Sequence, residues 1–292
     1  IRIGDCRFDE NGGQSVLEGS LQTTEGLATW SLRATPNPNP LGQSLCLFPS
    51  RKMLDGRFPR NKSITPAAVQ RFSGHVQLRG ERWEIRDWTG MQGHNWGPAH
   101  AESYAWGHCS FADPGEDPVA VVEAVSARIK VGSWTTPLLS TMVIRRGEEE
   151  YRFDRLVDAW RQRSEMGEFG WALRMRGRSG EALLSMDAKP EEMVCLGYAN
   201  PDGVTRYCLN SKLARVRLQV NPTDAPVSAP AGANSSLRDA SEAASRAFNA
   251  LRLSSVARAQ LEPSNLSRPD FDLIADLVQA TRDEFGFGAS LY

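Results

Sequence analysis

As far as Val220, turn-forming residues recur at intervals too short for βαβ units, and this spacing constrains the chain more than any other feature. They include Asn11-Gly12-Gly13, Glu25-Gly26, Pro36-Asn37-Pro38-Asn39-Pro40, Arg79-Gly80-Glu81, Pro114-Gly115, Arg146-Gly147-Glu148, Arg178-Ser179-Gly180 and Pro201-Asp202-Gly203. The segments between them read as strands, among them Val16 to Leu21, Thr29 to Leu32, His75 to Leu78 and Val119 to Val125. Short strands joined by tight turns predict antiparallel sheets in a sandwich or barrel. Three hairpins stand out. Gly19 to Gln22 turns through Thr24-Glu25-Gly26 to Trp30-Ser31-Leu32, and Gly74 to Leu78 turns through Arg79-Gly80 to Trp83-Glu84-Ile85. The third runs from Met142-Val143-Ile144 past Gly147 to Tyr151-Arg152-Phe153. From Ala214 to Leu218 apolar and basic residues alternate, which predicts a closing strand with one face buried and one wet.

The character of the chain changes after Val220. Residues 221–235 are rich in Pro, Ala, Ser and Asn and read as a linker. Residues 236–292 read as a helical appendage. Ser236 and Asp239 suit a helix start, and Leu237, Ala240, Ala244, Phe248 and Leu251 share one face. A second helix is expected from Pro269, carrying Phe271, Ile274, Leu277 and Val278 as far as Gly286. The stretch from Pro36 to Pro66, with Arg51, Lys52, Asp55, Arg57, Arg60 and Lys62, is expected to be a solvated connection, with a cover over a barrel mouth as the alternative.

Charge excludes one large class of partner. Lys and Arg number 34 against 35 Asp and Glu, so no net field draws in nucleic acid. No run approaches the ~20 apolar residues of a spanning helix, and contact with a membrane surface is left open. The five cysteines are scattered without a C-x-x-C pair, which suits free thiols and a cytoplasmic compartment. The sequence begins at Ile1, so a secretion signal upstream stays open, as does the oligomeric state.

Chemistry concentrates between Trp83 and Phe111, which holds three of the four histidines and four of the eight tryptophans. Two Trp-Gly steps, at Trp96 and Trp106, place a flat side chain beside a residue that permits close backbone approach or positive φ. His94 and Asn95 read either as turn-holding hydrogen-bonders or as substrate contacts. His94, His100 and His108 with Glu102 fit no familiar ligand spacing, and no metal or other cofactor is expected. Cys109 follows His108 directly, and neighbours on a strand face opposite ways, so they do not make a nucleophile and base. Asp87 and Glu102 are the expected proton donors, because burial beside Trp83, Trp88 or Trp106 would raise a carboxyl pKa. Trp30, Trp134, Tyr198 and Tyr207 are expected core aromatics.

In this window the sequence resembles the lipocalin-like superfamily of carotenoid 1,2-hydratases, tocopherol cyclases and AttH-like proteins. The resemblance rests on Gly74 to Leu78, Trp83 to Ile85, Gly90, His94-Asn95-Trp96-Gly97 and Tyr104-Ala105-Trp106-Gly107-His108, with Asn210 to Arg215 compatible with a closing strand. It covers about Leu17 to Phe111, thins towards Val220 and does not reach the helical segment. It implies a mainly β chain of two consecutive lipocalin-like antiparallel barrels or half-open sandwiches, over residues 1–113 and 114–220, each built around an apolar pocket.

The resemblance also implies chemistry on an isoprenoid or polyketide-like molecule: cyclisation, isomerisation or hydration. Aromatic walls would stabilise developing positive charge. In that reading His94, Glu102 and Asp87 are catalytic, and Asn95, Trp96, Tyr104, Trp106, His108, Gln92 and Trp88 contact substrate. Hydratase-like relatives tend to have an acid near the position of Gln92, and glutamine cannot serve as one. The proton donor is then Asp87, Glu102 or His94. A carrier or sensor of a hydrophobic ligand is the alternative, and a scaffold displaying the helices is a third reading.

Overall fold

In the computed structural model, residues 1–223 are described, apart from residues 12, 25, 57, 58, 99, 114, 115, 132, 133 and 202. The helices expected over 236–292 and most of the 221–235 linker lie outside the described residues. Strands β1 (Arg2–Ile3), β2 (Cys6–Asn11), β3 (Gln14–Thr23), β4 (Gly26–Pro36), β5 (Lys62–Leu78) and β6 (Glu81–Trp96) form one antiparallel sheet in chain order. The first two expected hairpins are β3–β4 and β5–β6. Between β5 and β6, Arg79 and Gly80 have φ of 55° and 77°, the positive pair that a two-residue type I′ turn requires.

The middle sheet follows. Strands β7 (Ser103–Phe111), β8 (Ala120–Arg128), β11 (Leu139–Arg146) and β12 (Glu149–Phe153) lie in the order β12-β11-β8-β7. A two-residue pair, β9 (Lys130–Val131) and β10 (Trp134–Thr135), interrupts the chain between β8 and β11. The third expected hairpin is β11–β12. Since β7 lies before residue 113 and pairs with β8 after it, this sheet crosses the boundary drawn there. The last sheet runs β13 (Arg163–Met166), β14 (Gly170–Gly177), β15 (Gly180–Asp187), β18 (Arg215–Asn221), with β16 (Val194–Ala199) and β17 (Thr205–Asn210) as a separate hairpin. The architecture is thus mainly antiparallel β. Among the described residues no sheet closes on itself: β1 and β6 remain edges of the first, and β7 and β12 of the second.

Successive side chains of the middle sheet serve two cores. Val122, Ala124, Met142 and Ile144 pack with Trp171, Leu173 and Met175 of the last sheet. Val121 and Val143 face the other way, onto Ala68 and Val69 of β5 and onto Leu41, Leu45 and Leu47. A strand buried on both faces has to be apolar throughout, and β8 is Ala-Val-Val-Glu-Ala-Val-Ser-Ala-Arg. Glu123 is therefore an anomaly within it. Close approach on the first face of this sheet is bought by Gly107, where a Cβ would stand 2.1 Å from Met186 Sδ.

The segment after Pro36 corrects an expectation. It is not a solvated connection, because Leu41, Leu45, Cys46 and Leu47 are buried in the second core. A buried loop leaves carbonyls without partners, and two arginines of the middle sheet supply them. Arg145, 7% exposed, donates to the carbonyls of Pro40 at 2.8 Å, Gln43 at 3.1 Å and Ser44 at 3.3 Å, with Glu150 as its counter-ion at 2.6 Å. Arg152 does the same for Cys46 at 2.7 Å and Phe48 at 3.2 Å. The core role expected of Trp134 and Tyr207 is also corrected. Both sit on two-stranded hairpins, and both are exposed.

Replacing Arg145 with alanine removes the donor shared by the carbonyls of Pro40, Gln43 and Ser44 and one of the two arginines on Glu150, so R145A should lose about 2 kcal/mol in urea unfolding. Amide exchange in that variant should rise first over residues 40–48. Unchanged protection there would show that the apolar residues alone hold the loop.

Candidate functional site

A cavity of about 2400 Å³ lies against the concave side of the first sheet. Leu17, Trp30 and Phe72 line one wall, Trp106, Glu123 and Val125 of the middle sheet the opposite one. Because β7 is a free edge, the cavity continues round it to Trp171 and Met186 and to the β16–β17 hairpin. Register shifts between Ile64 and Ala67, Ala67 and Gln70, and Phe72 and Gly74 bend the long β5–β6 hairpin along this wall.

The middle sheet places the chemistry. Tyr104, Trp106 and His108 share one face of β7 by the two-residue period, and His108 stands directly opposite Glu123 of β8. Glu123 is 2% exposed. Its Oε1 accepts from Thr65 Oγ1 at 2.9 Å and from Trp106 Nε1 at 3.0 Å. Its Oε2 is buried without a partner. Burial drives the carboxyl pKa up to about 7, only partly opposed by those two hydrogen bonds, so the neutral acid is well populated at neutral pH.

His108 is the complement. Burial lowers its pKa to about 4, despite a hydrogen bond to the Ala68 backbone that favours the charged ring. Its Nε2 is buried and unpartnered, so Nδ1 makes the bond to Ala68. That tautomer leaves Nε2 with a free lone pair. A protonated carboxyl and a neutral imidazole thus stand as cross-strand neighbours in the wall of the cavity. One can give a proton and the other can take one.

The cavity also collects His94, Asn95, Gln92, Glu102, Tyr104 and Trp106. The His94 ring stacks on Trp96 with centroids 4.9 Å apart, while Trp96 itself stays outside the lining. Gly97, which follows it, has φ of 150°, the positive value expected of a Trp-Gly step. Gln92 accepts from Gln70 Nε2 at 3.4 Å. Glu102 stands at the rim, 3.9 Å from Arg206, and is largely solvated. The Trp106 indole expected beside it serves Glu123 instead. Asp87 and Trp88 are not in the cavity. Opposite Ser73 the strand bulges, because Phe72 pairs with Trp88 but Gly74 pairs with Ile85. Asp87 is thrown into the left-handed region at φ 57°, and its side chain, 71% exposed, points to Arg71 on the outer face. Trp88 is 58% exposed on the same strand.

Sequence reasoning missed Glu123, Thr65 and Gln70. The available signal was a lone carboxylate in the middle of an otherwise apolar strand, where a charge survives only with partners or by neutralising. Among the described residues no three His, Cys, Asp or Glu side chains group as metal ligands, and none of the five cysteines is in a disulfide. No helix among them is long and apolar enough to cross a membrane.

Comparison with known proteins adds relatives without a described function. Two uncharacterized proteins of Mycobacterium tuberculosis, from different strains, are each 29% identical to this chain over 217 residues, which is 74% of the chain and 63% of the relative. The chain therefore matches less than two thirds of their length. No family model and no solved structure matches it.

The buried acid makes stability depend on pH with a definite sign. In the unfolded chain Glu123 ionises near the ordinary value of 4.5, in the fold only near 7. Its contribution is therefore lost as pH rises through that interval. His108 acts oppositely, costing stability as pH falls from 6.5 towards 4. Glu123→Gln removes only the first effect. Chemical denaturation from about pH 4.5 to pH 8 should show the variant gaining about 3 kcal/mol relative to wild type. A constant difference across that range would mean that Glu123 is ionised throughout.

Proposed function

We propose that this protein binds an apolar or amphipathic small molecule, isoprenoid or polyketide-like, in its cavity and catalyses an isomerisation, cyclisation or hydration by proton transfer. The observation that carries this reading is the pairing of Glu123 and His108, each with one buried, unpartnered polar atom and with opposite proton affinities. Glu123 replaces Asp87 and Glu102 as the acid. His108 replaces His94 as the group nearest to it, leaving His94 and Asn95 to hold another part of the ligand.

The proton inventory closes on these two residues. Glu123 gives its proton to a carbon–carbon double bond or a carbonyl oxygen, and becomes a carboxylate. His108 Nε2 takes a proton from a neighbouring carbon of the resulting cation, or from the water or hydroxyl that captures it, and becomes imidazolium. The proton then returns from His108 to Glu123, directly opposite on β8, and both are restored. Trp106 and Tyr104 flank the position where positive charge develops. Separation from bulk water keeps the carboxyl protonated until the ligand is bound and protects the cation. The open first sheet and the middle sheet around one apolar space are consistent with a half-open lipocalin-like sandwich, which supports the resemblance to the hydratase and cyclase superfamily.

A carrier uses the cavity without the acid. Native mass spectrometry of gently purified protein, followed by denaturing extraction, should recover a stoichiometric apolar molecule. With it in hand, Glu123→Gln and His108→Phe should each lower turnover about 100-fold or more while the molecule stays bound. Full turnover in both variants would assign the chemistry elsewhere, and retention without any turnover in wild type would favour the carrier.

A further inference from the structure

The wall around Glu123 is polar but carries no charge available to an anion. Thr65, Gln70 and Gln92 join Glu123 and His108 in lining the cavity, and all are neutral or neutralised there. Of the cations that also line it, Lys62 is buried with Nζ held by the carbonyls of Met53 and Gly56, both at 2.8 Å, Arg206 lies 3.9 Å from Glu102 with its Nε buried and unpartnered, Arg7 pairs with Asp9, and Lys212 follows β17; none of them stands on the middle sheet. Arg60 is exposed. A carboxylate or diphosphate drawn up to the middle sheet would lose its hydration and meet no counter-ion, which costs several kcal/mol. A neutral group avoids that cost.

The two unpartnered atoms ask for a particular neutral group. Glu123 Oε2, in the protonated acid, needs an acceptor to take its hydrogen, and His108 Nε2 needs a donor. A hydroxyl does both with one atom. So does an enolisable carbonyl in its enol form. An ether, ester or ketone satisfies only the acid, and a hydrocarbon satisfies neither. Leaving either atom unpaired costs about 1–3 kcal/mol, enough to discriminate strongly between otherwise identical chains.

We infer that the ligand of this cavity ends in a hydroxyl or enol seated between Glu123 and His108, and that this seat disfavours an anionic head such as a carboxylate or a diphosphate. This rests on the cavity reading above and adds the class of molecule.

The test separates the two. Wild-type protein is loaded with the neutral fluorophore N-phenyl-1-naphthylamine, and geranylgeraniol, its methyl ether, geranylgeranoic acid and geranylgeranyl diphosphate are used as displacers, together with tetradecanol, its methyl ether and tetradecanoic acid. In at least one series the alcohol should displace the fluorophore at about tenfold lower concentration than its ether or its acid. His108→Phe should bring the alcohol down to the level of the ether, whereas Glu123→Leu should weaken both and leave the alcohol ahead through His108 alone. Unaltered binding of the fluorophore shows that each variant keeps its cavity. If the acids or the diphosphate displace as well as the alcohols, or if nothing displaces a bound fluorophore, the neutral-hydroxyl assignment is wrong and the cavity reading stands. Failure of the fluorophore itself to bind wild type overturns the cavity reading and this inference together.

Discussion

Glu123 sits where two sheets and one cavity meet, and the structure around it is organised by the cost of holding a carboxyl group out of water. Burial favours the neutral acid, and the hydrogen bonds from Thr65 and Trp106 hold one oxygen in place without restoring full ionisation. Thr65 comes from β5 and Trp106 from β7, so the same carboxyl ties the first sheet to the middle one. An apolar residue there would spare the desolvation cost. Position 123 is thus where packing and chemistry make opposite demands, as proteins tolerate at functional sites.

The middle sheet makes that position possible. It is covered on both faces, by the last sheet on one side and by β5 with the 37–48 segment on the other. The covering loop contributes leucines to the core, and its carbonyls are satisfied by Arg145 and Arg152. Fixed this way, the loop and β5 shield the Glu123 side of the sheet from solvent, while the free edge of β7 keeps the cavity open beyond it. Cover on one side and an open edge on the other leave a buried carboxyl in the wall of a cavity that continues beyond β7.

Much of this was legible in the sequence. The turn spacing located β3–β4, β5–β6 and β11–β12, because glycine and asparagine tolerate backbone angles that strands do not. The window from Trp83 to Phe111 contains His108 and Trp106, two members of the site, and Gly97 and Gly107 behave as the Trp-Gly steps require. The window also contains residues that face elsewhere. A bulge changes which neighbours face inward, and the one opposite Ser73 carries Asp87 to the outside.

The sequence by itself determined the antiparallel β character, the hairpins and the aromatic density of one window, since each follows from local backbone preference and side-chain alternation. Only the tertiary structure decided which acid matters. The proton affinity of a carboxyl group depends on what lies around it in three dimensions, and Glu123 acquires its surroundings from Thr65, Trp106 and His108, which lie 58, 17 and 15 residues away along the chain. Local pattern carries periodicity, whereas desolvation is a property of the assembled sheets, and it is desolvation that lets Glu123 keep its proton near neutral pH.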